Sequence, residues 1–206
     1  MRPEFIFFDL GNVLVTFDRE RAFRQMSAVS GADAAVIRAI VVDHGLQQAL
    51  ERGSLDWTAF HAEFSRQTGT VTTAVDLARA ASDMFTLRVD MLPVIGGLER
   101  LGMPIGVLSN TCGPHWQHLI ESRYAILPGP FKPIVLSHEE GCLKPEQDIY
   151  ARATERAGVP ADRIFFCDDM PEHVEAARRA GWDAEVFSSA VGLVDALAWR
   201  GLDLGL

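Results

Sequence analysis

The chain has 206 residues, 48% of them apolar, with a mean hydropathy near zero, which suits one α/β domain with a modest insertion and a substantial core. Its 28 acidic and 19 basic residues give a formal charge of −9, and the longest basic run is Arg178-Arg179, so no nucleic-acid partner is expected, because phosphate-backbone binding rests on clustered Lys and Arg. Charge or Gly interrupts every apolar stretch before the ~20 residues that a spanning helix needs, so no membrane partner is expected, and no cleavage signal follows Met1-Arg2-Pro3-Glu4, so a cytoplasmic location is expected.

In chain order, Phe5 to Phe8 is an aromatic run that reads as a central strand ending at Asp9. From about Phe17 to Leu87 helix follows helix, with apolar residues at helical spacing in Ala22-Phe23-Met26 and Phe60-Phe64 and no convincing strand. An all-helical insertion over residues 17–87 is the economical reading, with residues 1–16 and 88–206 as an α/β core. A further helix, Asp90 to Leu101, leads back into that core. Strands then follow at Ile105 to Leu108, Ile134 to Leu136, Ile164 to Cys167 and Ala184 to Phe187. Helices alternate with them at Pro114 to Arg123, Glu146 to Ala157, Pro171 to Ala180 and Ala190 to Arg200, and Gly158 and Gly181 fit C-terminal caps. Five strands joined by crossovers predict a doubly wound parallel sheet. Cys112, Cys142 and Cys167 are odd in number and widely spaced, which argues against a disulfide framework or a thiolate metal site.

In such a sheet, ligands sit at the carboxyl ends of the strands. Those ends carry Asp9, Ser109-Asn110 and Asp168-Asp169, and Lys144-Pro145 lies between the last two. Two carboxylates about 4 Å apart repel by roughly 4 kcal/mol at an effective dielectric near 20, so a cleft holding three needs a proton or a cation. A hard divalent ion such as Mg²⁺ suits carboxylate oxygens and phosphate. Lys144 adds positive charge, while the Ser109 hydroxyl and the Asn110 backbone N–H suit a phosphoryl oxygen. Taken singly, Asp9 also fits a turn, and Asp168-Asp169 also fits a helix cap before Pro171. His115 and His118, three apart, read as a surface helix face. His173, four after Asp169, reads either as a surface or capping residue or as a neighbour of the metal's ligands. Trp57, Phe60 and Phe64 read as the core of the insertion.

In this order the segments Asp9-Leu10-Gly11-Asn12-Val13-Leu14, Ser109-Asn110, Lys144-Pro145 and Asp168-Asp169 resemble the four motifs of the haloacid dehalogenase superfamily. The resemblance implies that Asp9 is a nucleophile forming an aspartyl-phosphate. It also implies that Ser109 and Asn110 bind the phosphoryl group, and that Lys144 neutralises Asp9 and the phosphate. Mg²⁺ would then be held by Asp9, the Gly11 carbonyl, Asp168 and Asp169, with Asp169 the better match to a direct ligand. The helical insertion is similar to the family's small cap. One departure is Gly11, where most phosphotransferases of the family carry a second Asp as general acid and base. The run through Val13 and the segment Glu51-Arg52-Gly53 are similar to a subgroup of sugar-phosphate phosphatases that includes α-D-glucose-1-phosphate phosphatase. Arg52 reads either as a contact to a substrate hydroxyl or phosphate from the closed cap or as a solvated helix end before Gly53, and Asp18 either as a proton carrier or as the cap of the first insertion helix. The implied function is a Mg²⁺-dependent phosphatase of a small phosphorylated metabolite. The alternatives are a non-catalytic binding protein, which Gly11 alone favours, and a metal-independent 2-haloacid dehalogenase, against which both Gly11 and the acidic pair argue.

Overall fold

The structure is a computed structural model that describes residues 2–122, 124 and 126–206. Strand β1 (Phe5–Phe8) is buried along its whole length. It is followed by β2 (Val15–Phe17) and by helices α1 (Arg19–Ser30), α2 (Ala34–Arg38), α3 (Leu46–Arg52), α4 (Trp57–Thr68) and α5 (Ala74–Ser82). Strand β3 (Phe85–Leu87) and helix α6 (Leu92–Arg100) return the chain to β4 (Ile105–Ser109). The rest alternates as α7 (Gly113–Glu121), β5 (Ile134–Leu136), α8 (Ser137–Glu140), α9 (Gln147–Ala157), β6 (Ile164–Asp168), α10 (Pro171–Arg179), β7 (Asp183–Val186) and α11 (Ala190–Trp199).

The main sheet has the order β5-β4-β1-β6-β7, with every pair parallel. Its strands read as unbroken apolar runs because both faces are covered. Ile6, Phe8, Val107 and Phe165 pack on one face with Val94, Leu98, Leu193 and Leu197 of α6 and α11. Phe5, Phe7, Leu108 and Phe166 pack on the other with Ile149, Tyr150, Val174 and Ala177 of α9 and α10. Gly106 permits the close pairing of β4 with its neighbours, since a Cβ there would stand 2.6 Å from the Pro133 carbonyl oxygen and 2.8 Å from the Phe7 ring. The expected doubly wound sheet is therefore present, with strand ends shifted by a residue at most. Helix α7 ends at Glu121, and the expected terminus at Arg123 lies outside the described residues. The expected helix from Asp90 begins as a 3₁₀ turn, Val89–Met91, before α6.

Helices α1 to α5 share a separate core of Phe23, Met26, Ile37, Leu50, Phe60 and Leu77. Asp18 caps α1, its carboxylate accepting from the Arg21 N–H at 3.0 Å. The expectation of no strand between Phe17 and Leu87 is corrected at both ends: β2 and β3 form an antiparallel ribbon pairing Phe17 with Phe85 and Val15 with Leu87. Three residues are too few to display a period of two, and the partners lie some seventy residues apart, so no local pattern marks them.

Candidate active site

The register that sets Phe8 beside Cys167 also brings Asp9, one residue beyond β1, next to Asp168 at the end of β6. Between their side chains lies Lys144, whose Nζ donates to Asp9 Oδ1 at 2.7 Å, to Asp168 Oδ2 at 2.5 Å and to the Leu108 carbonyl at 2.9 Å. All three ammonium protons are thus placed. Lys144 is itself clamped by Asn110, whose side-chain amide donates to the Lys144 carbonyl and accepts from the Lys144 N–H, each at 2.8 Å. The Asn110 side chain is therefore a brace for Lys144, and only its backbone remains for the phosphate role expected of it. Ser109 ends β4 with its hydroxyl 3.5 Å from the Asn110 carbonyl.

Asp168 is fully buried, and both its oxygens are engaged: Oδ1 accepts from the Met170 N–H at 2.8 Å and faces His173 Nδ1 at 3.0 Å, while Oδ2 is held by Lys144. Asp169 has one oxygen tied to Asn12, whose amide donates at 2.9 Å. Asn12 reaches it from a left-handed conformation, φ 55°, that its short polar side chain tolerates. Carboxylate oxygens of Asp9, Asp168 and Asp169 lie within 4.8 Å of one another. Three carboxylates against one ammonium leave a negative, oxygen-only donor set, which fits a hard divalent cation. Burial pushes the Asp9 carboxyl up to about 6 against the pull of Lys144, with the Asp168 charge adding to the rise. Burial works against the charge on Asp168 too, but Lys144 and His173 outweigh it and hold that carboxyl down at about 2.

A cavity of about 400 Å³ opens beside this cluster. Gly11, Ser109 and Asn110 line it from the sheet edge, and Arg19, Gln47, Glu51 and the stacked rings of Trp57 and Phe60 from the helices. A Cβ on Gly11 would stand 3.9 Å from Asp9 Oδ2 and 3.0 Å from the Phe17 ring, so Phe17 fills the room beside Asp9 that another residue's side chain would need.

Several sequence expectations meet a different placement. Arg52 is not among the lining residues and pairs instead with Glu146, its Nη1 donating to Oε2 at 3.2 Å. Asp18 takes the second of its two expected roles, the α1 cap, and lies 3.6 Å from Arg24. His115 is no surface residue: it is buried, meets the Phe85 ring edge-on and lines the cavity. Phe17, Gln47 and His115 were not singled out for the site from sequence, because what brings them to the cavity is the pairing of β2 with β3 and the packing of helices on it. His173 was singled out, and its position in the first turn of the helix after β6 is what brings it to Asp168.

A family model for haloacid dehalogenase-like hydrolases matches residues 4–181. Among curated proteins, a D-ribitol-5-phosphate phosphatase of Bacteroides thetaiotaomicron is 26% identical over 188 residues, 86% of this chain and 88% of that protein. A glyceraldehyde 3-phosphate phosphatase of Methanopyrus kandleri is 30% identical over 94 residues, 45% of this chain, and the match spans only 39% of that relative. Among solved structures, a HAD-like family hydrolase of Porphyromonas gingivalis superposes with a TM-score of 0.80 at 26% identity, covering 97% of this chain and 98% of the other.

Proposed function

The chain belongs to the haloacid dehalogenase-like hydrolases, and from that premise we propose that it is a phosphatase of small phosphate monoesters working through a phosphorylated Asp9. The observation that carries the proposal is the Asp9 carboxylate itself. Oδ1 is fixed by a buried ammonium, and Oδ2 lies beside Gly11, which lines the cavity. An Asp9 oxygen bonds to phosphorus in line with the departing oxygen, and water then hydrolyses the acyl phosphate. Ser109 and the Asn110 N–H hold phosphoryl oxygens, and Lys144 keeps Asp9 ionised against its burial. Asp9, Asp169, the Gly11 carbonyl and, behind them, Asp168 would hold Mg²⁺, which when bound offsets the charge of the phosphate.

In the same reading helices α1 to α5 act as a cap over the phosphate, excluding water and selecting the leaving group. The printed activities of the relatives, on glyceraldehyde 3-phosphate and D-ribitol 5-phosphate, support a small sugar or polyol phosphate. The resemblance of the Asp9 and Glu51 segments makes anomeric sugar phosphates the first compounds to test. The experiment is phosphate release from sugar, acyl and p-nitrophenyl phosphates, with Mg²⁺ and with EDTA. Asp9→Asn should abolish release while the circular dichroism spectrum stays unchanged, and turnover retained in that variant would end the nucleophile assignment.

A further inference from the structure

Expelling an alcohol from phosphorus requires a proton, and the water that later attacks must lose one. Gly11 offers no side chain beside Asp9, and Phe17 closes the space next to it, its ring 6.4 Å from that of Phe85 and 5.2 Å from the Arg19 guanidinium carbon. The titratable residues that line the cavity, among those described, are Arg19, Glu51 and His115. A guanidinium is a donor only and has no proton to transfer. Burial pushes His115 down to about 4, so its imidazole is neutral and a poor acid near pH 7.

Resting on the phosphatase reading above, we propose that Glu51 is the catalytic acid and base, serving the reacting oxygen from the helical wall of the cavity. Glu51 lies in the last turn of α3, and its backbone is tied to the loop that carries Ser109 and Asn110. Ser137 Oγ donates to the Glu51 carbonyl at 2.5 Å and accepts from the Thr111 N–H at 2.9 Å, so one hydroxyl joins the two walls. The carboxyl is oriented by Gln47, whose amide donates to Oε1 at 2.8 Å. Burial raises its pKa above the ordinary carboxyl value, against the opposing pull of Gln47, Arg19 and Lys144. A carboxyl raised in this way retains its proton nearer to neutral pH, as an acid catalyst must.

In the first step an Asp9 oxygen bonds to phosphorus and the bond from phosphorus to the leaving oxygen breaks. That oxygen keeps the electron pair and takes the Glu51 proton. In the second, the oxygen of water bonds to phosphorus, the Glu51 carboxylate takes a proton from that water, and the Asp9–phosphorus bond breaks. Asp9 returns as a carboxylate, Glu51 as an acid, and phosphate leaves.

The test compares full-length wild type, Glu51→Gln and Glu51→Asp on glycerol phosphate and on p-nitrophenyl phosphate, whose leaving group departs without a proton. With Glu51→Gln, kcat/KM should fall about 10²- to 10⁴-fold on glycerol phosphate and at least about tenfold less on the aryl ester. The aryl ester should then give a burst of p-nitrophenol before slow turnover, and Glu51→Asp should recover part of the loss on glycerol phosphate. Equal losses on both substrates, or a higher KM at unchanged kcat, would make Glu51 a binding group and overturn the assignment. Wild type silent on both esters and on the sugar and acyl phosphates would instead remove the phosphatase reading, and the assignment with it.

Discussion

Lys144 uses its three protons on Asp9, Asp168 and the Leu108 carbonyl, and its side chain is only 1% exposed. Removing it leaves two carboxylates facing each other in a buried site, and stripping one partner from such a network typically costs about 3–5 kcal/mol. Lys144→Met should therefore lower stability by about that amount in urea titration and abolish phosphate release. A variant as stable as wild type would mean that Asp9 is already protonated in the resting protein. His115 makes a second prediction. Burial holds its folded pKa at about 4, against 6.5 for an open chain. The unfolded chain therefore binds the extra proton between those values, so stability is lost as pH falls from 6.5 towards 4, by up to about 3 kcal/mol at about 1.4 kcal/mol per unit. His115→Phe, which keeps a ring against Phe85, should flatten that part of the stability–pH curve, and an unchanged slope would place the acid sensitivity elsewhere.

At the scale of elements, the docking of α3 on the sheet edge determines where Glu51 and Gln47 stand. Gly53 closes α3 with φ 73°, and a Cβ there would collide with the His138 backbone carbonyl at the start of α8. Gly69 closes α4 in nearly the same conformation, φ 67°, with nothing within 4 Å. Gly69→Ala should cost only the left-handed strain, about 1–2 kcal/mol, and leave kcat/KM intact. Gly53→Ala carries that strain and must also move α3, so it should lower kcat/KM at least about tenfold, since misplacement by about 1 Å can cost far more. Equal kinetics for the two variants would show that α3 docking does not position the site. This level was also the least legible in the sequence. The parallel strands announced themselves as runs such as Phe5 to Phe8 and Ile164 to Cys167, because burial on both faces removes every polar interruption. The ribbon of β2 and β3 gave no sign, since its pairing spans some seventy residues, and the ion pair of Arg52 with Glu146 spans ninety-four. Asp9, Lys144 and Asp168 were legible only together, from the fixed order in which they and Ser109-Asn110 follow one another along the chain, whereas the burial of His115 depends on how α7 packs against Phe85.

For the whole molecule, the sheet order sets β4 and β6 on either side of β1, so three strand ends deliver Ser109, Asp9 and Asp168 to one edge from positions spread over about 160 residues. Helices α1, α3, α4 and α5 face that edge across the cavity, which keeps the cluster next to a partly open space of about 400 Å³. Among the described residues no single helix is long and apolar enough to cross a membrane. The overall negative charge makes the local balance of one ammonium against three carboxylates unfavourable for an anionic ester until a cation joins it. Between the two chemical steps the phosphoryl group must be carried on Asp9. The most direct measurement is rapid acid quench of the protein with a phosphate monoester and Mg²⁺, followed by intact-mass and peptide analysis. One added phosphoryl mass is expected on the peptide containing Asp9, lost in Asp9→Asn and lost when EDTA replaces Mg²⁺. Phosphate release with no modified Asp9 peptide at any quench time, or undiminished release by Asp9→Asn, would contradict it.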